Sequence, residues 1–160
     1  MIKLKIIALG KLKEKYLRDA QDEYIKRLSA YAKTELIELE PVRLSDNPSA
    51  GEIDRALSTE AEMIKKKIPE ISLVTAMCIE GKQLSSEELS SFNAERIARG
   101  TGTLVYIIGS SYGLHSDIKA MAGLKLSFSK MTFPHQLFRI MLLEQVYRAF
   151  KIEEGSSYHK

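Results

Sequence analysis

LVYIIGSSYGLHSDIKAMAGLKLSFSKMTFPHQLFRIMLLEQVYRAF, residues 104–150, is the stretch whose reading decides the fold. An apolar run ends at Gly109 and passes into a small loop, Ser110-Ser111-Tyr112-Gly113-Leu114-His115. A second strand-like run, Leu124 to Phe128, leads through Ser129 to Pro134 into a long apolar helix. Loops at the carboxyl ends of parallel strands are where α/β proteins bind ligands. Two such loops so close in sequence are expected to build one pocket, with His115 and His135 in or beside it.

Working outward, the same alternation continues towards the amino end. Ile2 to Leu9 reads as a strand closed by Gly10, and Tyr16 to Ala32 recurs at helical spacing. Thr34 to Val42 reads as a strand that Pro41 assigns to an edge or ends. Arg43 to Gly51 is a polar loop, and Ser49 is placed to cap a helix running to about Ile68 before Pro69. Leu73 to Ile79 has the apolar character of a buried strand. Ser85-Ser86-Glu87-Glu88 has the capping-box pattern, and its helix ends at Arg99-Gly100. Thr103 to Ile108 and Leu124 to Phe128 complete five strands. Strands alternating with helices imply a three-layer α/β/α fold with a mostly parallel sheet. Residues 1–160 contain no repeat, linker or low-complexity tract and are expected to form one domain.

The last helix, from about Pro134 to Phe150, places Leu137, Ile140, Leu143, Val146, Tyr147 and Phe150 on one face. Phe138, Met141, Leu142 and Ala149 make much of the remainder apolar. At roughly 25 cal/mol per Å², leaving such a surface wet costs several kcal/mol. One side is expected to pack on its own sheet and the other on a second copy, giving a homodimer through this helix. Pro134 suits the first helical position, where no N–H is needed.

Composition sets the outer bounds. Apolar content of 44% and charged content of 28% describe a globular chain with a real core. No run is long enough to span a bilayer, and MIKLKIIALG is too short for a secretory signal. Cys78 is the sole cysteine, which excludes an internal disulfide or a cysteine zinc cluster and fits a reducing cytoplasm. The three histidines lack metal-ligand spacing, so no metal site is expected. The net charge of +3 is uneven. Residues 1–18 carry six basic side chains against one acid, and residues 118–160 seven against three. If the two ends meet they form a basic face suited to nucleic acid; otherwise these are ordinary solvated charges.

The candidate groups each have two readings. The Gly109 to Gly113 loop lets backbone approach a ligand closely, but it is not GxGxxG, and the acidic ribose partner of a dinucleotide site is missing. His135 at a helix start is either structural or functional. Arg148 sits four residues after Glu144, so it forms a local ion pair or points into a pocket. The terminal Tyr158-His159-Lys160 is either a frayed tail or a set of groups for stacking, proton transfer and phosphate binding.

Taken together, Gly10-Lys11-Leu12-Lys13-Glu14-Lys15, Phe128 to His135, Glu144 to Ala149 and Tyr158-His159-Lys160 resemble the RlmH (YbeA) family of SPOUT-class methyltransferases, in order and over essentially the whole chain. The resemblance implies a homodimer with a trefoil knot near the carboxyl end. It implies transfer of a methyl group from S-adenosylmethionine to N3 of a pseudouridine in 23S rRNA of the assembled ribosome. It places cofactor contacts on Met77, Gly109, Phe128, Ser129, Lys130, Met131, Thr132 and Phe133, and acceptor-site roles on His135, Arg148, Tyr158 and His159. Met77 replaces the leucine of other members, and Lys160 an arginine found in some, which removes planar bidentate phosphate binding. His159 is the first choice for positioning or general base, Tyr158 for stacking, and Arg148 for stabilising the imide anion. The alternatives are a non-catalytic dimeric ribosome- or RNA-binding protein, and another α/β nucleotide-binding enzyme such as a dehydrogenase, which the absent fingerprint disfavours.

Overall fold

A computed structural model describes all of residues 1–160. Five strands, β1 (Ile2–Leu9), β2 (Ala32–Leu39), β3 (Leu73–Gln83), β4 (Thr103–Ile108) and β5 (Leu124–Ser127), form one sheet in the order β2-β1-β4-β3-β5. Every pairing is parallel. Helices α1 (Lys15–Leu28), α2 (Ala50–Lys65), α3 (Ser86–Ala98), α4 (Ser116–Met121) and α5 (His135–Glu153) connect and cover it.

The strands alternate because each feeds two cores. Leu4, Ile6, Ala8, Leu104, Tyr106 and Ile108 face the layer built by α1, α3 and α5. Ile7, Leu9, Val105 and Ile107 face α2 and α4 through Ala61, Ile64 and Ile118. The expected three-layer α/β/α arrangement is therefore present, with a fully parallel sheet and β2 at one edge. No helix is long and apolar enough to cross a membrane.

The expected capping box at Ser85 forms, and the expected cap at Ser49 is a full capping box as well. Glu52 N–H donates to Ser49 Oγ at 3.2 Å, and Glu88 N–H to Ser85 Oγ at 3.0 Å. Several boundaries differ from the sequence reading. The first helix stops at Leu28 rather than Ala32, because Ala32 already pairs with Ile2 in the sheet. That releases Tyr31 to stack on Phe150, with ring centroids 5.4 Å apart. The second strand accordingly ends at Leu39, before Pro41. Strand β3 continues to Gln83 through an irregularity between Met77 and Lys82, both opposite Leu126. Gly81 allows it: a Cβ there would lie 2.8 Å from the Lys125 and Leu126 backbone. The one-and-a-half turns of α4 were not anticipated, since His115 is an unusual cap: its Nδ1 accepts the Asp117 N–H at 3.1 Å. Pro134 is the N-cap of α5 rather than its first helical residue, and α5 runs on to Glu153.

The stripe of α5 buried within one chain lies partly off the expected face. Leu142, Leu143, Val146 and Ala149 are buried at helical spacing, but the stripe begins with a charge, Arg139, and Leu137 stays 44% exposed. Beneath the helices, Tyr106 is fully buried and its hydroxyl accepts from Asn93 Nδ2 at 2.8 Å. Burial pushes its phenol up to about 12 from the usual value near 10. A folded-state pKa above the unfolded one means stability that is complete below about pH 10 and is lost as pH rises towards about 12. Urea unfolding across that window is expected to show this decline, and Tyr106→Phe to lack its share.

Candidate functional site

The carboxyl ends of β3, β4 and β5 enclose a cavity of about 360 Å³, within the roughly 300–1,000 Å³ of small-molecule sites. Both loops read from residues 104–150 line it, as expected of strand ends in a parallel sheet. Met77 to Glu80 form one wall, Ile108 to Leu114 a second, and Leu126 to Ser129 with Met131 to Phe133 a third. His135 and Phe138 of α5 and Lys119 of α4 complete the lining.

Each wall has a local physical cause. Gly113 N–H donates to the Ser110 carbonyl at 2.8 Å, folding residues 110–113 into a turn that lies back over the end of β4. A Cβ on Gly109 would stand 2.6 Å from the Gly113 carbonyl carbon, so only glycine lets the turn close. Behind the turn, the buried carboxylate of Glu60 accepts from Ser110 Oγ at 2.8 Å and from Val42 N–H at 2.9 Å. The third wall is fixed by Ser127 Oγ donating to the Ser129 carbonyl and by Met131 N–H donating to Ser129 Oγ, both at 3.0 Å. Phe128 packs on Phe138 with centroids 5.0 Å apart.

Just over half of the lining residues are apolar, and the rest are glycines and polar side chains. Glu80 pairs with Lys119, and that bond holds its carboxyl below the usual range. Burial, helped by the Glu80 charge, pushes the Cys78 thiol up, so at neutral pH it is not a thiolate nucleophile. His135 Nε2 lies 3.5 Å from Ser111 Oγ, a contact at the limit of hydrogen bonding. No group of three or more His, Cys, Asp or Glu side chains is placed to hold a metal ion.

The sequence-derived residues thus fall in two places. Met77, Gly109, Phe128, Ser129, Met131, Thr132, Phe133 and His135 surround the cavity. Lys130, in the same run, is exposed and absent from the lining. Arg148, Tyr158 and His159 gather elsewhere, along the outer side of α5. Arg148 Nε donates to Glu144 Oε1 at 2.8 Å, and the Tyr158 hydroxyl donates to Glu144 Oε2 at 2.9 Å. The Arg148 guanidinium lies 4.7 Å over the Tyr158 ring, whose edge meets Tyr147. Burial and then the Glu144 hydrogen bond push the Tyr158 phenol up, so it remains protonated at neutral pH.

His159 is held from both sides. Arg148 Nη1 lies 3.2 Å from its Nδ1, and its Nε2 lies 2.7 Å from Glu87 Oε1. A guanidinium only donates, so Nδ1 accepts and Nε2–H donates to Glu87. The tail is therefore an ordered extension of α5, with its imidazole in a defined tautomer. At 1.5 Å per residue, the ten residues from Phe138, the last of α5 to line the cavity, to Arg148 span about 15 Å along the helix. Within one chain the two halves do not meet.

Sequence reading missed Glu60, Glu80, Lys119 and Arg139. For two of them a signal existed: Glu60 and Arg139 each interrupt an otherwise apolar helical stripe, Ala56-Ala61-Ile64 and Leu142-Leu143-Val146.

Comparison with known proteins gives consistent matches. The family described as "Predicted SPOUT methyltransferase" matches residues 2–159. The Ribosomal RNA large subunit methyltransferase H of Clostridium acetobutylicum is 49% identical over 155 residues, 97% of this chain and 98% of the relative. The proteins of that name from Streptococcus equi subsp. zooepidemicus and Streptococcus pneumoniae are each 46% identical over 159 residues, 99% of this chain and all of theirs.

Proposed function

The chain belongs to the SPOUT methyltransferase family, and from that premise we propose that it methylates N3 of a pseudouridine in 23S rRNA of the assembled ribosome, using S-adenosylmethionine. The observation that carries the reading is the cavity at the ends of β3, β4 and β5: it has the volume for a nucleoside-sized donor, partly apolar walls and a glycine turn. We take residues 1–160 as a single SPOUT domain of the cytoplasm, knotted around this cavity. The crossover that places β5 outside β3, after β4 has been inserted between β1 and β3, supports that topology.

When bound, S-adenosylmethionine supplies an electrophilic methyl group on a sulfonium, and transfer is an in-line displacement that needs no metal. The residues' task is alignment and charge. Met77, Phe128 and Phe133 offer apolar surface to the nucleoside portion, and the Gly109 to Gly113 turn brings backbone to its edge. The imide N3–H of the acceptor loses its proton as nitrogen attacks carbon. In this reading the substrate displaces the Arg148 N–H from His159 Nδ1, which then takes that proton; the freed guanidinium N–H stabilises the developing anion, and Tyr158 offers its ring to the base. These groups stand about 15 Å or more from their own cavity along the helix, so a second copy completes each site. Antiparallel packing of two α5 helices would set the tail of one chain against the cavity of the other. Exposed Leu137 and Met131, and Ile79 and Tyr112 at the cavity, offer apolar surface for such a dimer.

Calorimetry with S-adenosylmethionine tests the donor site. Wild type is expected to bind, and Gly109→Ala to bind at least about tenfold more weakly, a loss of about 1.4 kcal/mol. Radiolabelled methyl transfer to ribosomes lacking the modification, followed by mapping of the methylated nucleotide, tests the acceptor. A wild-type chain that binds donor but labels no ribosomal RNA supports the non-catalytic RNA-binding alternative.

A further inference from the structure

The connection between β1 and α1, residues 10–15, is held more firmly than a surface loop requires. Arg18 Nη1 donates to the carbonyls of Leu12 at 3.2 Å and Lys13 at 2.7 Å. Arg139 Nη2 donates to the Gly10 carbonyl at 3.1 Å, and Lys13 N–H donates to Gln136 Oε1 at 2.8 Å. The Leu12 side chain is buried beneath. Surface connections are ordinarily the mobile parts of a domain. Here two guanidinium groups and an amide fix four backbone groups.

The clamped backbone presents positive charge. Lys11 and Lys13 are exposed, and neither has a carboxylate partner, whereas Lys15 is paired with Asp19 at 2.6 Å. Glu14, the one acid in the connection, is the N-cap of α1 and pairs with neither lysine. Arg18 spends its hydrogen bonds on neutral carbonyls, so its charge adds to theirs. The amino end of α5, with its partial positive charge, lies across the Lys13–Gln136 bond. His135, the neighbour of Gln136, lines the cavity. Tyr16, 70% exposed, stands at the start of α1 beside the lysines.

We propose that Lys11 and Lys13 are a pre-positioned grip for the RNA backbone flanking the nucleotide presented to the cavity. This rests on the ribosomal RNA reading above and adds a docking surface to it. Solvated lysines need no clamped backbone, whereas a phosphate contact gains from one because less ordering is lost on binding. An exposed aromatic ring next to unpaired ammonium groups is the combination that binds nucleic acid through both bases and phosphates.

The test compares wild type, Lys11→Ala/Lys13→Ala and, as a control for net charge, Lys66→Ala/Lys67→Ala. The control lysines are exposed at the far end of α2, beside the start of β1, where the Lys67 carbonyl accepts from Lys5 Nζ. Methyl transfer to intact ribosomes is measured at several salt concentrations, and donor affinity by calorimetry. The Lys11/Lys13 variant is expected to raise the KM for ribosomes at least about tenfold and to flatten the slope of log kcat/KM against log salt by about 1–2. Its donor affinity should match wild type. An unchanged slope, or a change equal to the control's, overturns the proposal while leaving the methyltransferase reading intact. A wild-type chain that methylates no ribosomal RNA overturns both.

Discussion

Deleting Tyr158, His159 and Lys160 is expected to lower methyl transfer by about 10³-fold or more, while donor binding and folding stay close to wild type. The size follows from what leaves. A positioned proton acceptor contributes about 10²–10⁴, and an anion stabiliser such as Arg148 loses the partners that aim it. The stability cost is small because the tail is bound by partly exposed contacts: Tyr158 to Glu144 at 2.9 Å, and His159 to Arg148 at 3.2 Å and to Glu87 at 2.7 Å. Such solvent-screened surface polar pairs contribute little to stability. The measurements are single-turnover transfer to ribosomes, calorimetry with S-adenosylmethionine and a melting curve. Retained transfer would make the tail an accessory of α5 only. Because cluster and cavity stand apart in one chain, complementation follows as well. A mixture of tail-deleted and Gly109→Ala chains should regain activity, since one mixed dimer site would combine an intact cavity with an intact tail. No recovery from the mixture would remove the shared-site arrangement.

Residues 104–150 led correctly to the cavity, because the signals involved are local. An apolar run, a glycine turn and a following helix start are set by neighbours in sequence, and a parallel sheet puts all strand ends on one side. The run from Phe128 to Phe133 is a surface of that cavity except at Lys130, whose side chain points to solvent. What was not legible depends on distance in sequence. Glu60 meets Ser110 across 50 residues and Arg139 meets Gly10 across 129, and no periodicity encodes either contact. Which residues of α5 pack inside the chain was not legible for the same reason. Hydrophobic pattern identifies side chains that prefer burial, but the packing of α1 and α3 decides which are covered, and Leu137 was left out. The Glu144–Arg148 spacing gave two readings, a local pair or a pocket arginine. The structure shows the pair, and the proposed dimer would add the second role without breaking the first.

Arg139→Ala is expected to cost about 3 kcal/mol, the lower end of the range for breaking a buried ion pair. For a chain of this length that lowers the melting temperature by about 6–12 °C. The guanidinium is almost wholly buried and makes three contacts: Glu38 Oε2 at 2.6 Å, Gln21 Oε1 at 3.2 Å and the Gly10 carbonyl at 3.1 Å. Removing it leaves a carboxylate, an amide and a backbone carbonyl short of a donor, and opens a void beneath α5. Glu38 remains 32% exposed, and water reaching it keeps the loss at the low end. Arg139→Met separates these terms, since a methionine fills the stem's space but donates nothing. It should recover part of the melting temperature but not the Gly10 bond that Arg139 contributes to the clamp on residues 10–13. Both variants should therefore bind S-adenosylmethionine yet show a raised KM for ribosomes, although Lys11 and Lys13 are intact. An Arg139→Met chain as stable as wild type would mean the buried network breaks even against packing. An unchanged ribosome KM in that chain would mean the loop keeps its shape without the arginine. Loss of both stability and ribosome affinity, with donor binding kept, is the combination expected if Arg139 fixes the RNA-facing connection to the helix that begins at the cavity.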